Sequence, residues 1–370
     1  MKPHLVLFFT RGVSLRTWSM VGMLDREVAL YNYLGKKGFQ VSFVTYGDSS
    51  DHIYSGRLGD IRILCNESNL PPGLYENLLF AVHGQILGSA HIIKTNQTYG
   101  SETALWAARF FRKPFIARCG YMWSNNASRE HGQDSFEASE ARRVEKKVFS
   151  AADRIVVTTE SMMSDVVNRI RSAVSRVTVI PNYVDTDVFR PYGKDRDPNT
   201  LLFIGRIAPE KNLDALLEAI LPLNVKLVLI GEGRLRAELQ RRFSALNGRV
   251  TWEGNVSNSE LPAYLNRVGL FVLPSLYEGH PKALLEAMAC GVAVIGADSP
   301  GIRDLISHSE TGYLCGTDSL SIRKAIEYLL SNPNLCTEMG KNARNYVVRN
   351  YSLQRIGELE LSVLKELVTH

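Results

Sequence analysis

The feature that most limits the fold of this chain is an alternation of strand-like and helix-like segments. In the first half, short apolar runs predict strands at His4–Phe9, Gln40–Thr45, Ile61–Cys65, Ile92–Thr95, Pro114–Arg118, Arg154–Thr158 and Val177–Ile180. Helical patterns lie between most of them, at Leu24–Lys36, Leu74–Leu87, Glu102–Arg112, Glu137–Phe149 and Glu160–Arg171. Such alternation is typical of a parallel sheet with helices on both faces.

A break in this alternation divides the chain. Turn-forming residues concentrate at Pro181-Asn182 and between Arg190 and Asn199, which indicates a hinge or linker. The pattern then restarts, with strands predicted at Leu201–Ile204, Val225–Ile230, Val250–Trp252, Leu270–Leu273 and Val292–Ile295. With 370 residues, the chain is also too long for one ordinary core.

We therefore predict an α/β protein with two successive Rossmann-like, doubly wound domains. The first covers residues 1–182, a linker follows at 183–198, and the second covers 199–352. An amphipathic helix over 353–370 is expected to cross back to the first domain. In open parallel sheets ligands bind beyond the carboxyl ends of the strands, so the active cleft is expected between the two domains.

Composition limits the cellular setting. Hydrophobic residues make up 45% and charged residues 22%, the balance of a soluble globular protein. Neither a signal peptide nor an apolar stretch of roughly 20 residues is visible. The five cysteines form no C-x-x-C pair, which argues against zinc ligation and favours a reducing compartment. We expect a cytoplasmic protein, either free or attached peripherally to the inner face of the membrane.

The net charge of +5 is unevenly distributed. Residues 1–190 carry 23 Lys and Arg against 18 Asp and Glu, whereas the remaining residues are balanced. A basic first half suits an anionic substrate or an acidic membrane surface. Ordinary solvated surface charge explains the same excess equally well. No basic run with interleaved aromatic residues recurs, so nucleic-acid binding is not expected.

Three loops of the second half follow predicted strands. Gly205-Arg206-Ile207-Ala208-Pro209-Glu210-Lys211-Asn212 precedes a helix, and its two cations with free helix N–H groups suit a diphosphate. A helix cap with two surface cations is the alternative. The turns that contain Gly233 and Asn255-Val256 could hold a nucleotide base against their backbone, although tight turns commonly use glycine for structural reasons.

The most informative segment follows strand Leu270–Leu273 and reads PSLYEGHPKALLEAMACG. Pro281 fits the first turn of a helix that Gly291 ends, so backbone groups of His280, Pro281, Lys282 and Ala283 would face an anion or a sugar. Glu286 lies among apolar residues, where ribose hydroxyls would match its two oxygens, and Glu278 lies in the preceding loop within reach of a sugar. The alternative for Glu286 is an ordinary solvated helix residue.

The spacing of Glu278 and Glu286 within EGHPKALLEAMACGVAVIG resembles the donor motif of the retaining family 4 glycosyltransferases, which have the GT-B fold. GRIAPEKN resembles the phosphate-binding loop of that family, and VIPNYVDTDVF its interdomain segment. The resemblance covers about Thr178 to Tyr351, and the first half matches only in layout.

The resemblance implies a hexosyltransferase that uses a nucleotide-sugar donor, retains the anomeric configuration and needs no metal or other cofactor. Arg206, Lys211 and Glu278 would be catalytic: the two cations would bind the diphosphate and Glu278 the hexose, while Glu286 would bind the ribose. The acceptor would be a glycan, a lipid-linked glycan or a small molecule, in cell-surface polysaccharide or glycolipid biosynthesis. Asp185-Thr186-Asp187 spells the D-x-D pattern of metal sites in another glycosyltransferase fold, but here it falls in the interdomain segment.

The first domain is expected to bind the acceptor. Gly12 in its first loop, together with Asn96, Arg118 and Tyr121 after later strands, are the candidate residues. Family members often have a histidine after the strand that ends near Thr95, but this chain has Asn96-Gln97-Thr98-Tyr99 at that point. No residue can therefore be named as the acceptor base.

Two further questions stay open. Trp106, Arg109, Phe110, Phe111, Arg112 and Lys113 belong either to a helix packed on the sheet or to a membrane-surface patch. Competing functions are a sugar-nucleotide epimerase, a phosphorylase and a non-catalytic sugar-nucleotide-binding partner.

Overall fold

The computed structural model describes residues 2–193 and 196–368. Met1 of the predicted first domain, Lys194 and Asp195 of the predicted linker and residues 369–370 of the predicted C-terminal helix lie outside this description. The chain forms two compact units. The first unit comprises Met1–Met20, Glu27–Pro181 and Ile356–His370, and the second comprises Val21–Arg26 and Asn182–Arg355.

Two parallel sheets form the centres of the units. The strands are β1 (His4–Phe8), β2 (Gln40–Asp48), β3 (Arg62–Asn66), β4 (Ile92–Thr95), β5 (Phe115–Cys119), β6 (Arg154–Val157), β7 (Val177–Val179), β8 (Asp197–Ile204), β9 (Lys226–Ile230), β10 (Val250–Gly254), β11 (Val268–Leu273), β12 (Ala293–Ala297) and β13 (Tyr313–Cys315). The first sheet has the order β3-β2-β1-β4-β5-β6-β7 and the second β10-β9-β8-β11-β12-β13. Each chain half starts in the middle of its sheet and winds outwards in both directions, which confirms the prediction of two doubly wound α/β units.

Helices connect these strands. They are α1 (Leu15–Met20), α2 (Leu24–Lys36), α3 (Ser55–Leu58), α4 (Pro72–Val82), α5 (Gly84–Ser89), α6 (Glu102–Phe110), α7 (Trp123–His131), α8 (Phe136–Ala151), α9 (Glu160–Arg169), α10 (Leu213–Ile220), α11 (Arg236–Arg242), α12 (Leu261–Leu265), α13 (Lys282–Ala289), α14 (Ser319–Leu330), α15 (Pro333–Tyr351) and α16 (Leu353–Val368). Short 3-10 helices span Ser49–Tyr54, Arg171–Ala173, Pro209–Lys211 and Ser244–Leu246. No helix in residues 2–193 and 196–368 is both long and apolar enough to cross a membrane.

The central strands are buried on both faces, which explains their continuous apolar sequences. All five residues of β1 are buried, and Leu201, Leu202 and Phe203 of β8 are completely covered. In register, Phe8 lies opposite Val44 of β2 and Thr95 of β4. The carboxyl ends of these strands therefore meet along one edge of each sheet, where loops can gather polar side chains.

Several predicted boundaries differ from the structure. The helix predicted over Leu74–Leu87 is two helices separated at His83. Helix α7 (Trp123–His131) was not predicted, because its residues are mostly polar. The three-residue strand β13 was also missed, since so short a run gives no periodic signal.

Much of the predicted linker 183–198 packs into the second unit. Val184 and Phe189 are both 2% exposed and belong to the core of that unit. The Val184 amide donates to the Tyr351 carbonyl at 2.8 Å, and the Leu353 amide donates to the Val184 carbonyl at 2.8 Å. β8 already begins at Asp197. The apolar side chains explain this difference, because burying them stabilises the unit more than leaving them in a solvated hinge.

Two helices contain a boundary between the units. Residues 21–26, which include the start of α2, belong to the second unit, whereas the prediction placed all of 1–182 in the first domain. The chain returns within α16, so that Ile356 and the residues after it belong to the first unit.

Candidate functional site

The loops at the carboxyl ends of β8 and β9 are joined through their backbones. The Gly205 amide donates to the Ile230 carbonyl at 2.9 Å, and the Ile207 amide donates to the Glu232 carbonyl at 2.9 Å. Gly233 is exposed, and a Cβ at this position would overlap the Ile207 carbonyl. Glycine is therefore required here for loop packing, and a bare backbone faces solvent beside it.

Lys211 and Glu278 form an ion pair in the second unit. The Lys211 Nζ lies 2.6 Å from the Glu278 Oε1, and the two side chains are only 13% and 12% exposed. Asn212, in the left-handed conformation with φ 54°, holds this turn by donating to the carbonyls of Pro274 at 3.1 Å and Thr317 at 2.7 Å. The structure thus brings together a cation predicted to bind diphosphate and a carboxylate predicted to bind the sugar.

Arg206 has a different environment. Its side chain is 77% exposed and pairs with Glu210 four residues later, at 2.7 Å. An exposed pair of this kind contributes little to stability. The guanidinium can therefore exchange Glu210 for another anion at small cost.

Helix α13 begins at Lys282, one residue after Pro281. Its N-cap residue, Pro281, makes no side-chain capping bond, and Lys282 and Ala283 are partly exposed. His280 is 9% exposed, with its ring centroid 5.4 Å from that of Tyr351, and burial raises the pKa of Tyr351. The His280 carbonyl accepts from Asn182 at 2.8 Å. The segment before the helix is thus fixed, and the backbone amides of its first turn are suited to an anion or a sugar.

Glu286 is buried, with 1% exposure, so the interpretation as a solvated helix residue is wrong. Its Oε1 accepts from Asn258 at 2.8 Å and lies 3.3 Å from a guanidinium nitrogen of Arg26. Its Oε2 is also buried, and it has no hydrogen-bond partner among the residues that the structure describes. A buried carboxylate oxygen without a partner is costly in the free protein. A ligand hydroxyl group would remove that cost.

The partners of Glu286 come from distant parts of the chain. Gly22 lies so close to Val256 that a Cβ would overlap the Val256 carbonyl, and the Gly22 carbonyl accepts from the Asn258 amide at 2.9 Å. This contact places residues 21–26 of the second unit beside the loop that contains Asn255, which is exposed, and Val256, which is partly buried. Sequence reasoning missed Arg26 and Asn258, since no local pattern marks contacts to residues 260 and 28 positions away.

In the first unit, the four predicted acceptor residues lie at or after the carboxyl ends of β1, β4 and β5. The Asn96 amide donates to the Phe8 carbonyl at 2.8 Å, and Arg118 donates to the Asn96 carbonyl at 3.2 Å. Gly12, with φ +75°, has open space where a Cβ would stand. Tyr121 follows β5 and is 38% exposed.

A neighbouring cysteine offers no nucleophile to this edge. Cys119 is buried at the end of β5, and burial raises the pKa of its thiol to about 12. The thiol is therefore protonated at neutral pH.

The D-x-D sequence forms a turn. Asp185 Oδ1 accepts from the amides of Asp187 at 3.1 Å and Val188 at 3.4 Å, and Asp187 Oδ2 accepts from Gln354 at 3.3 Å. The Asp185 bonds are those of an Asx turn, and Asp187 is bound by Gln354, which gives both aspartates a structural role.

Two family profiles match the chain, one in each half. The profile described as glycosyl transferases group 1 matches residues 184–346, and that described as glycosyltransferase family 4 matches residues 28–188. An alpha-D-kanosaminyltransferase from Streptomyces kanamyceticus is 31% identical over 48% of this chain and 47% of its own length. A D-inositol 3-phosphate glycosyltransferase from Gordonia bronchialis is 27% identical over 54% of this chain and 49% of its own length. The chain thus matches about half the length of these two relatives.

Solved structures agree over nearly the whole chain. A sucrose-phosphate synthase from Thermosynechococcus elongatus superimposes with a TM-score of 0.74 at 19% identity, covering 99% of both chains. HepE from Anabaena, solved in complex with UDP, superimposes with a TM-score of 0.78 at 16% identity, covering 99% of this chain and 100% of its own. At these identities the likeness shows the fold alone, which is the GT-B fold predicted from the sequence.

Proposed function

The chain belongs to the group 1, family 4 glycosyltransferases, and from this premise we propose that it transfers a hexosyl unit from a nucleoside-diphosphate sugar to a hydroxyl acceptor. One observation carries the proposal: Lys211, Glu278 and the buried Glu286 lie on loops and a helix that follow β8 and β11. Beyond the carboxyl ends of parallel strands, such groups suit a nucleotide and a sugar. The complexes of HepE with UDP and with UDP-glucose support this class of donor.

Each donor residue then has a separate task. Glu286 Oε2 accepts a hydrogen bond from a ribose hydroxyl, while Asn258 and Arg26 hold the carboxylate in place. Lys211 and Arg206 contact the diphosphate, and Glu278, released from Lys211, contacts the hexose hydroxyls. The backbone of 280–283 at the start of α13 approaches the sugar or phosphate, and the backbone at Gly233, Asn255 and Val256 faces the base.

We propose front-face transfer with retention of configuration and without a metal ion. The bond between the anomeric carbon and the diphosphate oxygen breaks as the acceptor oxygen attacks the same face. The acceptor proton moves to the departing diphosphate. The charge that develops there is stabilised by Lys211, Arg206 and the first turn of α13. No carboxylate nucleophile is needed in this scheme.

The proposed function is tested by screening the purified protein against nucleoside-diphosphate sugars by thermal shift, followed by transfer assays with glycan, lipid-linked and small-molecule acceptors in the presence of EDTA. We expect one donor to raise Tm and to yield an α- or β-linked product of the donor's own configuration. A donor altered without an acceptor would indicate an epimerase, and phosphate-dependent turnover a phosphorylase. Binding of a donor without any reaction in the presence of every acceptor would indicate a non-catalytic partner.

We also propose that the first unit attaches to an anionic membrane surface, where a lipid-linked acceptor in polysaccharide or glycolipid synthesis would be found. α6 packs on the sheet through Ala104, Leu105, Ala107 and Ala108, but Trp106 and Phe110 on the same helix are 47% and 69% exposed. One face of α6 thus packs on the sheet, and the exposed side chains of the other face support the proposed membrane surface.

The exposed aromatic face continues onto α4. The rings of Phe80 and Phe110 stack with centroids 5.8 Å apart, and Leu74, Leu78 and Val82 of α4 are exposed at helical spacing. Arg109 and Arg112 are also exposed here, which adds the positive charge that acidic lipids attract.

Vesicle flotation tests this surface. Wild-type protein should float with vesicles that contain phosphatidylglycerol at low salt, and the double variant Leu78→Ser/Phe110→Ser should bind at least about tenfold more weakly because two apolar side chains are lost. Phe136→Ser is the matched control, since Phe136 is 79% exposed on α8 of the same unit. Equal binding by all three proteins, or none by the wild type, would refute the membrane proposal.

A further inference from the structure

A second group of polar side chains lies in the first unit, away from the residues assigned above. His52 is in the 3-10 helix after β2, Cys65 is in the edge strand β3, and Glu67 follows that strand. One ligand atom from each lies within 4.8 Å of the other two. From this geometry we infer that His52, Cys65 and Glu67 bind a divalent transition-metal ion of the zinc class.

The distances fit tetrahedral coordination. His52 Nε2 lies 3.6 Å from Cys65 Sγ and 3.2 Å from Glu67 Oε1. A tetrahedral Zn²⁺ with bonds of about 2.3 Å to sulfur and about 2.0 Å to nitrogen and oxygen separates nitrogen from sulfur by about 3.5 Å and from oxygen by about 3.3 Å. His52 Nε2 therefore lies close to the required distance from both of the other ligand atoms, and a water molecule would fill the fourth position.

Hydrogen bonds among these three side chains would satisfy them less well than a shared metal ion. A neutral imidazole nitrogen either carries one proton or accepts one, whereas here the same Nε2 faces both a sulfur and a carboxylate oxygen. A metal ion uses the lone pairs of all three atoms at once. A thiolate, a carboxylate and a neutral imidazole also carry two negative charges together, which a divalent cation neutralises.

Two of the three side chains are open to solvent. Cys65 itself is completely buried, but the His52 and Glu67 side chains are 47% and 63% exposed. The ion would thus enter from solvent and join the segment after β2 to the edge strand, independently of sugar transfer.

Cobalt substitution provides the test. Full-length protein freed of metal by a chelator is titrated with Co²⁺, and Zn²⁺ is then added as competitor. We expect one Co²⁺ per chain, a thiolate-to-cobalt charge-transfer band in the near ultraviolet, its loss on addition of Zn²⁺, and a higher Tm with either ion.

Variants assign the ligands. Cys65→Ser should abolish the charge-transfer band, and His52→Ala or Glu67→Ala should weaken Co²⁺ binding at least about tenfold while leaving the metal-free fold intact, because both side chains are exposed. Cys336→Ser, which changes a partly buried cysteine of the second unit, should keep the band. No band in the wild type, or the same band in Cys65→Ser, would overturn the inference.

Discussion

Replacing Lys211 with Ala should lower kcat for sugar transfer at least about 100-fold, with a smaller change in KM. In the free protein the Lys211 ammonium is 13% exposed and pairs with Glu278 at 2.6 Å, so it lies in a partly desolvated position. Charge that develops on a departing diphosphate would be stabilised there much more strongly than in water. The interaction strengthens as the bond breaks, and its loss therefore appears mainly in kcat.

Lys226→Ala is the matched control for this variant. Lys226 is 71% exposed at the start of β9, the end of the strand opposite to the candidate site, and its removal should leave kcat unchanged. Thermal melts of both variants separate lost catalysis from lost folding. Near-normal kcat in purified, folded Lys211→Ala would overturn the phosphate assignment.

Arg206→Ala is expected to lower kcat at least about 100-fold as well. Its side chain is 77% exposed in the free protein, so that result would show that a donor recruits it.

The sequence predicted most of the sheet architecture for a simple reason. Strands such as Arg154–Val157 are short apolar runs because both faces of a parallel sheet are covered. Such a continuous apolar run can be recognised in the amino-acid sequence alone. Helix α7 could not be predicted in this way, because Trp123–His131 contains mostly polar residues. It is stabilised by tertiary contacts, including the hydrogen bonds from Ser124 to the buried Glu145. Burial raises the pKa of Glu145, and these bonds oppose that shift.

The candidate site divides in the same way. Glu278 and Glu286 were predicted because their spacing and the following helix are local features. The pairing of Glu278 with Lys211 and the support of Glu286 by Arg26 depend on which loops the fold brings together. The trio of His52, Cys65 and Glu67 was missed for a related reason. Its members approach through the pairing of β2 with β3, whereas the absence of a C-x-x-C pair in the sequence argued against zinc.

The largest effect on stability is expected at a buried ion pair of the first unit. Lys94, in the middle of the sheet on β4, is completely buried, and its ammonium lies 2.6 Å from Glu360 of α16, which is 1% exposed. Burial lowers the pKa of Lys94, and the Glu360 carboxylate opposes that shift. The returning part of α16 thus supplies the carboxylate that makes a buried lysine tolerable.

Glu360→Ala should therefore destabilise the first unit by about 3–5 kcal/mol, because it leaves an ammonium group buried without its carboxylate. The double variant Lys94→Met/Glu360→Leu should recover most of that loss, since both charges are replaced by apolar side chains of similar size. Denaturant midpoints of the full chain measure both effects. Glu358→Ala is the control, as Glu358 lies on the same helix in an exposed pair with Lys37, and its midpoint should change far less. If Glu360→Ala unfolded at the wild-type midpoint, α16 would not be anchored through this pair.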